Sequence, residues 1–283
     1  MKLIPLLLLA IGLAGAQTPK SLGDFFSQLN STREGAAIPT YDELLRTVDQ
    51  IERDNPGNLR DALPDVFRAL SNNNVLVARY AALALTVVAR RSDSAALLKP
   101  FLGNLKNILN GSGDQRVKGA LLEVIARLQP APPSEATAML ISYLDAERDP
   151  ALKVVAVYGL TRVAPGDPQA VEAIVKVSQG RLGANDKAGL LRQLASPKLN
   201  DPRLAKVLLD ALADPNEAVK IEAIQAIRRN GNSAIVGQAR PKLQALADDG
   251  AQTAAVRQRA VELLLNVKEA PLPVDPRWRP KEQ

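Results

Sequence analysis

Apolar residues recur along most of this chain at the spacing of an α-helix. After Val117, for example, the next apolar residues on the same side are Leu121, Ile125 and Leu128. Residues three and four apart lie on one face of a helix, so this spacing predicts a broad buried face. The alternation typical of strands is nearly missing. Even the β-branched run at 154–157 keeps the helical period, and we predict that it is helical.

The same pattern returns at a period of roughly 36 residues, which is typical of a two-helix repeat. In each copy, a turn precedes the first large apolar residue, which we call the reference residue. The reference residues Leu152 and Val219 are separated by about two repeat lengths, and a weaker copy at 184–196 (ANDKAGLLRQLAS) lies between them. A second amphipathic segment lies ahead of each copy, so the pattern predicts about six helix pairs. The reference residues are Val77, Val117, Leu152, Val219 and Val256.

The dipeptide Asp-Pro stands where several of these helices are predicted to begin. It occurs at 149–150, 167–168, 201–202 and 214–215. Aspartate accepts hydrogen bonds from the free backbone N–H groups of a first helical turn, and proline tolerates the first helical position. We therefore predict that each of these aspartates caps a helix. An Asn-Gly turn at 230–231 is predicted to end the helix that follows the last of them.

The repeat resembles the HEAT repeat, including the HEAT-like repeats of bilin-lyase relatives, over about residues 59–267. The resemblance implies an all-α fold, a right-handed α–α superhelix (a HEAT-like solenoid) in which each helix pair covers the apolar face of the next. A packing motif implies little about activity. The copies that carry the resemblance are DPNEAVKIEAIQAI at 214–227, DPALKVVAVYGL at 149–160, GDQRVKGALLEVI at 113–125 and AQTAAVRQRAVELL at 251–264.

One unit departs from the HEAT-like pattern. At 167–195 the glycines Gly180, Gly183 and Gly189 are expected to loosen the helices. Whether this unit is a hinge stays open at the level of the sequence.

The first residues of the chain have the features of a signal peptide. Lys2 precedes the apolar run Leu3–Leu13, and Ala14-Gly15-Ala16 fits a small-x-small cleavage site. The uncharged run is shorter than the roughly 20 residues that span a bilayer as a helix. We predict that residues 1–16 are removed and that the protein is exported, to the periplasm or outside the cell. An uncleaved anchor or a buried helix is the alternative.

The two ends of the repeat region are predicted to differ from the repeats. Residues 17–58 are expected to form capping helices with a loop between them, and we interpret Phe25 and Phe26 as core of this cap rather than as a contact for a partner. Residues 268–283 form a proline-rich tail that contains Trp278. This tryptophan could pack on the last helix pair, bind a partner as a linear motif, or stay in a disordered tail.

Composition removes several classes of chemistry. The chain of 283 residues contains no His and no Cys, which excludes Ser-His-Asp and Cys-His catalysis, the usual zinc sites and disulfides. It is 46% hydrophobic but only 3% aromatic, so it has few surfaces for stacking on bases or sugars. The net charge of +6 is a mild basic excess. We expect no cofactor, no metal, and no transmembrane segment after signal cleavage.

Charged residues recur at two positions of the repeat. Directly after the reference residue a cation is expected to pair with a turn carboxylate of a neighbouring repeat, as the HEAT resemblance implies; such a ladder is structural. Ten positions after the reference residue come Arg127, Arg162 and Arg229, which stacking would align along one edge. The helix dipole alone accounts for cations there, and a partner site is the alternative. The ladder candidates are Asp114, Lys118, Asp149, Lys153, Asp214, Lys220 and Arg257.

These features favour an exported, non-catalytic scaffold that binds a protein or peptide, possibly an acidic one, through the concave surface of the solenoid. The partner-binding candidates are Arg127, Arg162, Arg229 and Trp278. An alternative is that the basic edge binds an anionic polymer, either nucleic acid, which the lack of aromatic residues disfavours, or an acidic polysaccharide. A HEAT-like lyase or another enzyme is a third hypothesis, which requires converging carboxylates in a pocket.

Overall fold

A computed structural model describes residues 21–30, 58–90, 94–128 and 133–266, together with the single residues 42, 46, 50 and 53. The predicted signal peptide, most of the second predicted cap helix and the tail with Trp278 lie outside the described residues. Within them, all regular structure is helical and no strand occurs, which confirms the predicted fold class. The chain divides into two compact units, residues 1–164 and 165–283.

The first unit contains helices α1 to α8. Helix α1 packs on α2 and α3, and successive second helices of the pairs, α3, α6 and α8, pack side by side. Helix α7 packs on α8, and α5 on α6. The bounds are α1 Leu22–Asn30, α2 Asn58–Leu70, α3 Val75–Val88, α4 Ser94–Leu98, a 3-10 turn Lys99–Phe101, α5 Leu102–Gly111, α6 Gln115–Arg127, α7 Pro133–Ala146 and α8 Pro150–Val163.

The second unit repeats this arrangement. The second helices α10, α12 and α14 form one row, and the first helices α9, α11 and α13 form another. Each unit is therefore a stack of helix pairs in which neighbours in sequence are neighbours in space, as in an α-solenoid. The bounds are α9 Pro168–Ser178, α10 Ala184–Gln193, α11 Pro202–Ala211, α12 Glu217–Asn230, α13 Ser233–Asp248 and α14 Ala254–Asn266.

The apolar residues that define the repeat form the core. All five reference residues are buried, and the residues four positions later have no exposed surface. Burying one Leu, Ile or Val contributes about 1.5–3 kcal/mol, so the contacts between repeats dominate the stability of each unit. The run at 154–157 lies inside α8, as predicted. The residues four positions after the reference residues are Ala81, Leu121, Ala156, Ala223 and Ala260.

Three of the four predicted aspartate caps are confirmed. Asp149 and Asp167 each accept two backbone N–H groups of the first turn and Asp201 accepts one, in each case with a proline at the start of the helix. The prediction for Asp214 is wrong, because the cap of α12 is Asn216, whose side chain accepts from the N–H groups of Ala218 and Val219. Asp214 instead accepts from the N–H of Asn216 and so closes the preceding turn.

The ends of other elements also follow from local chemistry. Gly231 ends α12 with φ of +67°, a left-handed conformation that glycine adopts without strain, which confirms the Asn-Gly turn. The amphipathic segment at 95–110 is interrupted, because Pro100 falls within a short 3-10 turn between α4 and α5. In α1, Phe25 and Phe26 are buried with their ring centroids 5.2 Å apart, which confirms that both belong to the core.

Candidate functional site

Charged side chains connect successive repeats at their turns, beginning with Arg79 and Asp114. Atoms Nη2 and Nε of Arg79, in α3, lie 2.6 Å and 3.0 Å from Oδ2 of Asp114, at the start of α6. The other carboxylate oxygen accepts the N–H groups of Arg116 and Val117. The hydrogen bond from Arg79 holds the pKa of Asp114 below its ordinary value, against the opposing effect of burial. Asp114 is therefore a cap and an inter-repeat contact at once.

Lys118 reaches the next turn, but its partner is Glu147 and not Asp149. Nζ of Lys118 lies 2.9 Å from Oε2 of Glu147, and the hydroxyl of the buried Tyr143 donates to the same oxygen over 2.5 Å. Oε1 accepts the N–H groups of Arg148 and Asp149. Although burial favours the protonated form, these donors lower the pKa of Glu147 to about 2. Burial and the hydrogen bond to Glu147 raise the pKa of Tyr143.

Asp149 is bound by a neutral side chain of the preceding repeat. Nε2 of Gln115 donates to its Oδ2, while its other oxygen caps α8. Lys153, in the first turn of α8, is half-buried. Asp149, which the ladder pattern paired with a lysine, is thus held by the side-chain amide of Gln115.

The second unit has the same arrangement with different partners. Nζ of Lys187, in α10, lies 2.8 Å from Oδ2 of Asp214. Burial raises the pKa of Asp214, but the bonds from Lys187 and from the N–H of Asn216 outweigh it and lower the pKa. Lys220 donates to Oε1 of Gln252, in the turn before α14, over 2.6 Å. Arg257 is exposed and contributes to the low pKa of Asp249, which is set mainly by a hydrogen bond from Gln252.

Five partners in these contacts escaped the sequence pattern: Arg79, Gln115, Glu147, Lys187 and Gln252. Arg79 lies two positions after its reference residue instead of one, and Lys187 belongs to the irregular unit. Glu147 and Gln252 are turn residues that stand where the ladder was expected to use aspartate. The recurring spacing of about one repeat between cation and acceptor could have found them.

The arginines ten positions after the reference residues each contact a side chain of their own helix. Nη2 of Arg127 lies 3.0 Å from Oε1 of Glu123, and Arg90 of the preceding repeat lies 3.7 Å from the same atom. The guanidinium of Arg162 lies over the ring of Tyr158, 5.4 Å from its centroid. Arg127 and Arg162 lie in the last turns of the adjacent helices α6 and α8, whereas Arg229 belongs to the second unit.

Glu222 is the centre of a cluster that the sequence did not predict. It lies in α12 with 8% of its surface exposed. Arg192 of α10 donates to its Oε2 over 3.1 Å, and Arg229 donates to its Oε1. The side chains of Arg192 and Arg229 stay 57% and 43% exposed, so each arginine is held by the carboxylate while about half of its side chain faces solvent.

Other carboxylates that an enzyme could use also face cations. Asp210 contacts Lys206 and Lys242, and Glu172 lies near enough to Arg203 to raise the pKa of that guanidinium, after the larger effect of its hydrogen bond to Asp201. Nowhere in the described residues do three metal-ligating side chains gather. No helix in the same residues combines the length and apolar character needed to cross a membrane.

Comparison with protein-family models and with curated proteins gives no match. Among solved structures, two crystal structures of engineered proteins align with nearly the whole chain. One is 16% identical with a TM-score of 0.37, over 94% of this chain and 96% of its own. The other is 17% identical with a TM-score of 0.38, over 95% of this chain and 99% of its own. At this level of similarity the two structures identify neither a family nor a function.

Proposed function

We propose that this protein is an exported, non-catalytic scaffold of HEAT-like repeats that binds a protein partner through the exposed side of its second helices. Stacked helix pairs present neighbouring helices as one extended surface, and proteins built this way bind partners along it. The buried repeat positions and the confirmed stacking within each unit support the resemblance to HEAT repeats. The predicted signal peptide supports export.

The observation that carries the proposal is the Glu222 cluster. A carboxylate that is almost buried holds Arg192 and Arg229, and both arginine side chains keep about half of their surface in solvent. An arginine that is already ordered loses less conformational entropy when a partner binds. Arginine is also enriched among the residues that dominate binding energy at protein interfaces. The cluster therefore suits recognition of carboxylate and carbonyl groups on a protein.

Binding of an anionic polymer is the weaker alternative. Glu123 and Glu222 offset part of the positive charge of Arg127, Arg192 and Arg229. Polymer binding depends on the number of phosphates or similar anions that cations neutralise, and it falls steeply with salt. Cations already paired with carboxylates contribute less to that effect.

Replacement of arginine by lysine separates the two functions. Lysine keeps the charge beside Glu222 but cannot form the planar, forked hydrogen bonds of arginine. We expect Arg192→Lys with Arg229→Lys to lower capture of a stoichiometric partner from the exported fraction several-fold, at an unchanged melting temperature. Lys206→Ala, on the first helix α11, is the control and should leave capture unchanged.

Two results would contradict the proposal. Capture of no stoichiometric partner by the wild-type protein would remove the scaffold function. Retention on an acidic polysaccharide that survives both lysine replacements and falls steeply with salt would favour the polymer alternative. Export is tested separately, because the intact mass of the exported protein should correspond to a chain that begins near Gln17.

A further inference from the structure

The last described helix, α14, carries an exposed apolar stripe. Val261 is 42% exposed and Leu265 is 80% exposed, and Arg257 precedes them on the same face. The three residues are four positions apart, which places them one above the other along the helix. Large aliphatic side chains with this exposure are uncommon in the rest of the described chain, where Val75 and Leu76 are the other examples.

In other repeats the same face is covered by the next repeat. Val261 lies five positions after its reference residue, and the equivalent residues Ala82, Leu122 and Ile224 are all buried. Their helices are each followed by another in the same row: α3 by α6, α6 by α8, and α12 by α14. Around Val261, the stripe on α14 is therefore the stacking face of the repeat, and no described helix packs on it.

The polar end of the α14 stripe, at Arg257, also corresponds to a position that contacts the next repeat elsewhere in the chain. Lys118 and Lys220, one position after their reference residues, each bond to a turn side chain of the following repeat, Glu147 and Gln252. Arg257 occupies that position in α14. A segment that completes the stack should therefore bring a carboxylate or amide to Arg257 and apolar side chains to Val261 and Leu265.

We propose that the chain's own C-terminal segment, residues 267–283, covers this face. The segment follows α14 directly and supplies Leu272, Val274 and Trp278 as apolar groups. Its Asp275 precedes a proline, as the capping aspartates of α8, α9 and α11 do, and it offers Arg257 a carboxylate. The side chains that the stacking face requires are thus all present in one stretch.

The segment is long enough to return along the helix. From Asn266 back to Arg257, α14 covers about 14 Å at 1.5 Å per residue. The stretch from Asn266 to Trp278 covers about 37 Å if extended as a polyproline helix, at 3.1 Å per residue. Its prolines favour that conformation, and it needs no backbone pairing with α14. Covered in this way, the end of the stack would not join a second copy.

Intrinsic fluorescence of the full chain tests this directly, because Trp278 is the only tryptophan. We expect its emission to be blue-shifted and its quenching by acrylamide to be several-fold weaker than that of N-acetyltryptophanamide. Leu265→Ser should return both values toward those of the free compound. Val75→Ser, on an exposed apolar residue of the first unit, is the matched control and should change neither. Circular dichroism verifies that both variants stay folded.

Three outcomes would overturn the inference. Emission and quenching of the wild-type protein equal to those of the free compound would mean that Trp278 is in solvent. A blue shift that disappears on dilution would assign the face to a second copy. A blue shift that Leu265→Ser leaves intact would mean that Trp278 packs elsewhere.

Discussion

Lys118 and Glu147 join two successive repeats through one hydrogen-bonded ion pair, with 2.9 Å between Nζ and Oε2. The same carboxylate accepts the hydroxyl of Tyr143 and the N–H groups of Arg148 and Asp149. Glu147 thereby fixes α6 to α7 and closes the turn that leads to α8. These donors bind the ionised side chain of Glu147 more strongly than the protonated one, which is why its pKa falls to about 2 in spite of burial.

Replacement of Glu147 should lower stability at neutral pH and lose its effect in acid. The folded-state pKa lies below the ordinary value of 4.5, so the stabilisation is present above that value and is lost as the pH falls toward 2. We expect Glu147→Gln to lower the free energy of unfolding by about 1.5–3 kcal/mol at pH 7. Urea unfolding from pH 7 to pH 2 should show the two proteins converging.

Glu135→Gln is the control for this experiment. Glu135 lies in the first turn of α7, the helix that ends directly before Glu147, and it is exposed, so its replacement should change stability little across the same pH range. A constant difference between the wild-type protein and Glu147→Gln down to pH 2 would show that the ionised carboxylate is not the stabilising group.

Asp114 should show separable effects of its two functions. Asparagine can accept the same N–H groups of Arg116 and Val117, whereas alanine cannot. We expect Asp114→Ala to be less stable than Asp114→Asn by about 1 kcal/mol, the usual value of a helix cap. Asp114→Asn should itself be less stable than the wild-type protein, by a difference that shrinks in high salt because it reflects the charge on Arg79. Thermal unfolding at two salt concentrations measures both.

In the Asp114→Asn background, Arg79→Met should cause no salt-dependent loss, since the carboxylate that Arg79 binds is already gone. A salt-dependent loss of equal size in both backgrounds would assign the effect to another partner of Arg79.

The helical architecture could be predicted from the sequence because burial is periodic. The alanine or leucine four positions after each reference residue is fully buried, and such a pattern is visible without coordinates. Cap chemistry was predictable where only one acceptor was present. At Asp214-Pro215-Asn216 two acceptors are available: Asn216 caps α12, while Asp214 accepts from Lys187 and from the N–H of Asn216.

The contacts between repeats were less predictable than the repeat itself. Long side chains such as Lys118 can reach any of several acceptors in the next turn, and the one chosen depends on burial and on neighbours such as Tyr143. The Glu222 cluster was missed for a related reason. Arg192 lies one repeat before Glu222, and only packing of α10 on α12 brings the two together.

A charge in the stacked core should disrupt the second unit. Ala223 has no exposed surface in α12, and an aspartate there would be a buried charge without a partner. We expect Ala223→Asp to lower the free energy of unfolding by about 3 kcal/mol or more. Ala218→Asp is the control on the same helix: Ala218 is exposed in the first turn, where the helix dipole favours a carboxylate. Equal losses in urea unfolding would contradict stacking on this face.

The amide of Asn230 should be needed although its position is usually apolar. Asn230 lies eleven positions after its reference residue and is buried. In other repeats this position holds the buried apolar residues Val88 and Leu128. Its Nδ2 donates to the carbonyl of Ser196 over 2.9 Å. We expect Asn230→Leu to lower stability by about 1–3 kcal/mol, because it leaves that carbonyl without its donor. Urea unfolding measures the loss, and a gain in stability would show that only apolar burial matters here.

Close packing of α7 on α8 should make Gly159 sensitive to a single methyl group. A Cβ at Gly159 would lie 2.9 Å from Cδ1 of the buried Leu140. Alanine gains about 1 kcal/mol in a helix but overpacking costs about 1–3 kcal/mol, so Gly159→Ala should be neutral to destabilising. In a Leu140→Ala background the clash is absent, and the same change should stabilise by about 1 kcal/mol.

Gly237→Ala, where a Cβ meets nothing within 4 Å, is the control and should stabilise in both backgrounds. Urea unfolding of the four-protein cycle measures the coupling, and a coupling of zero would mean that the two helices do not approach so closely.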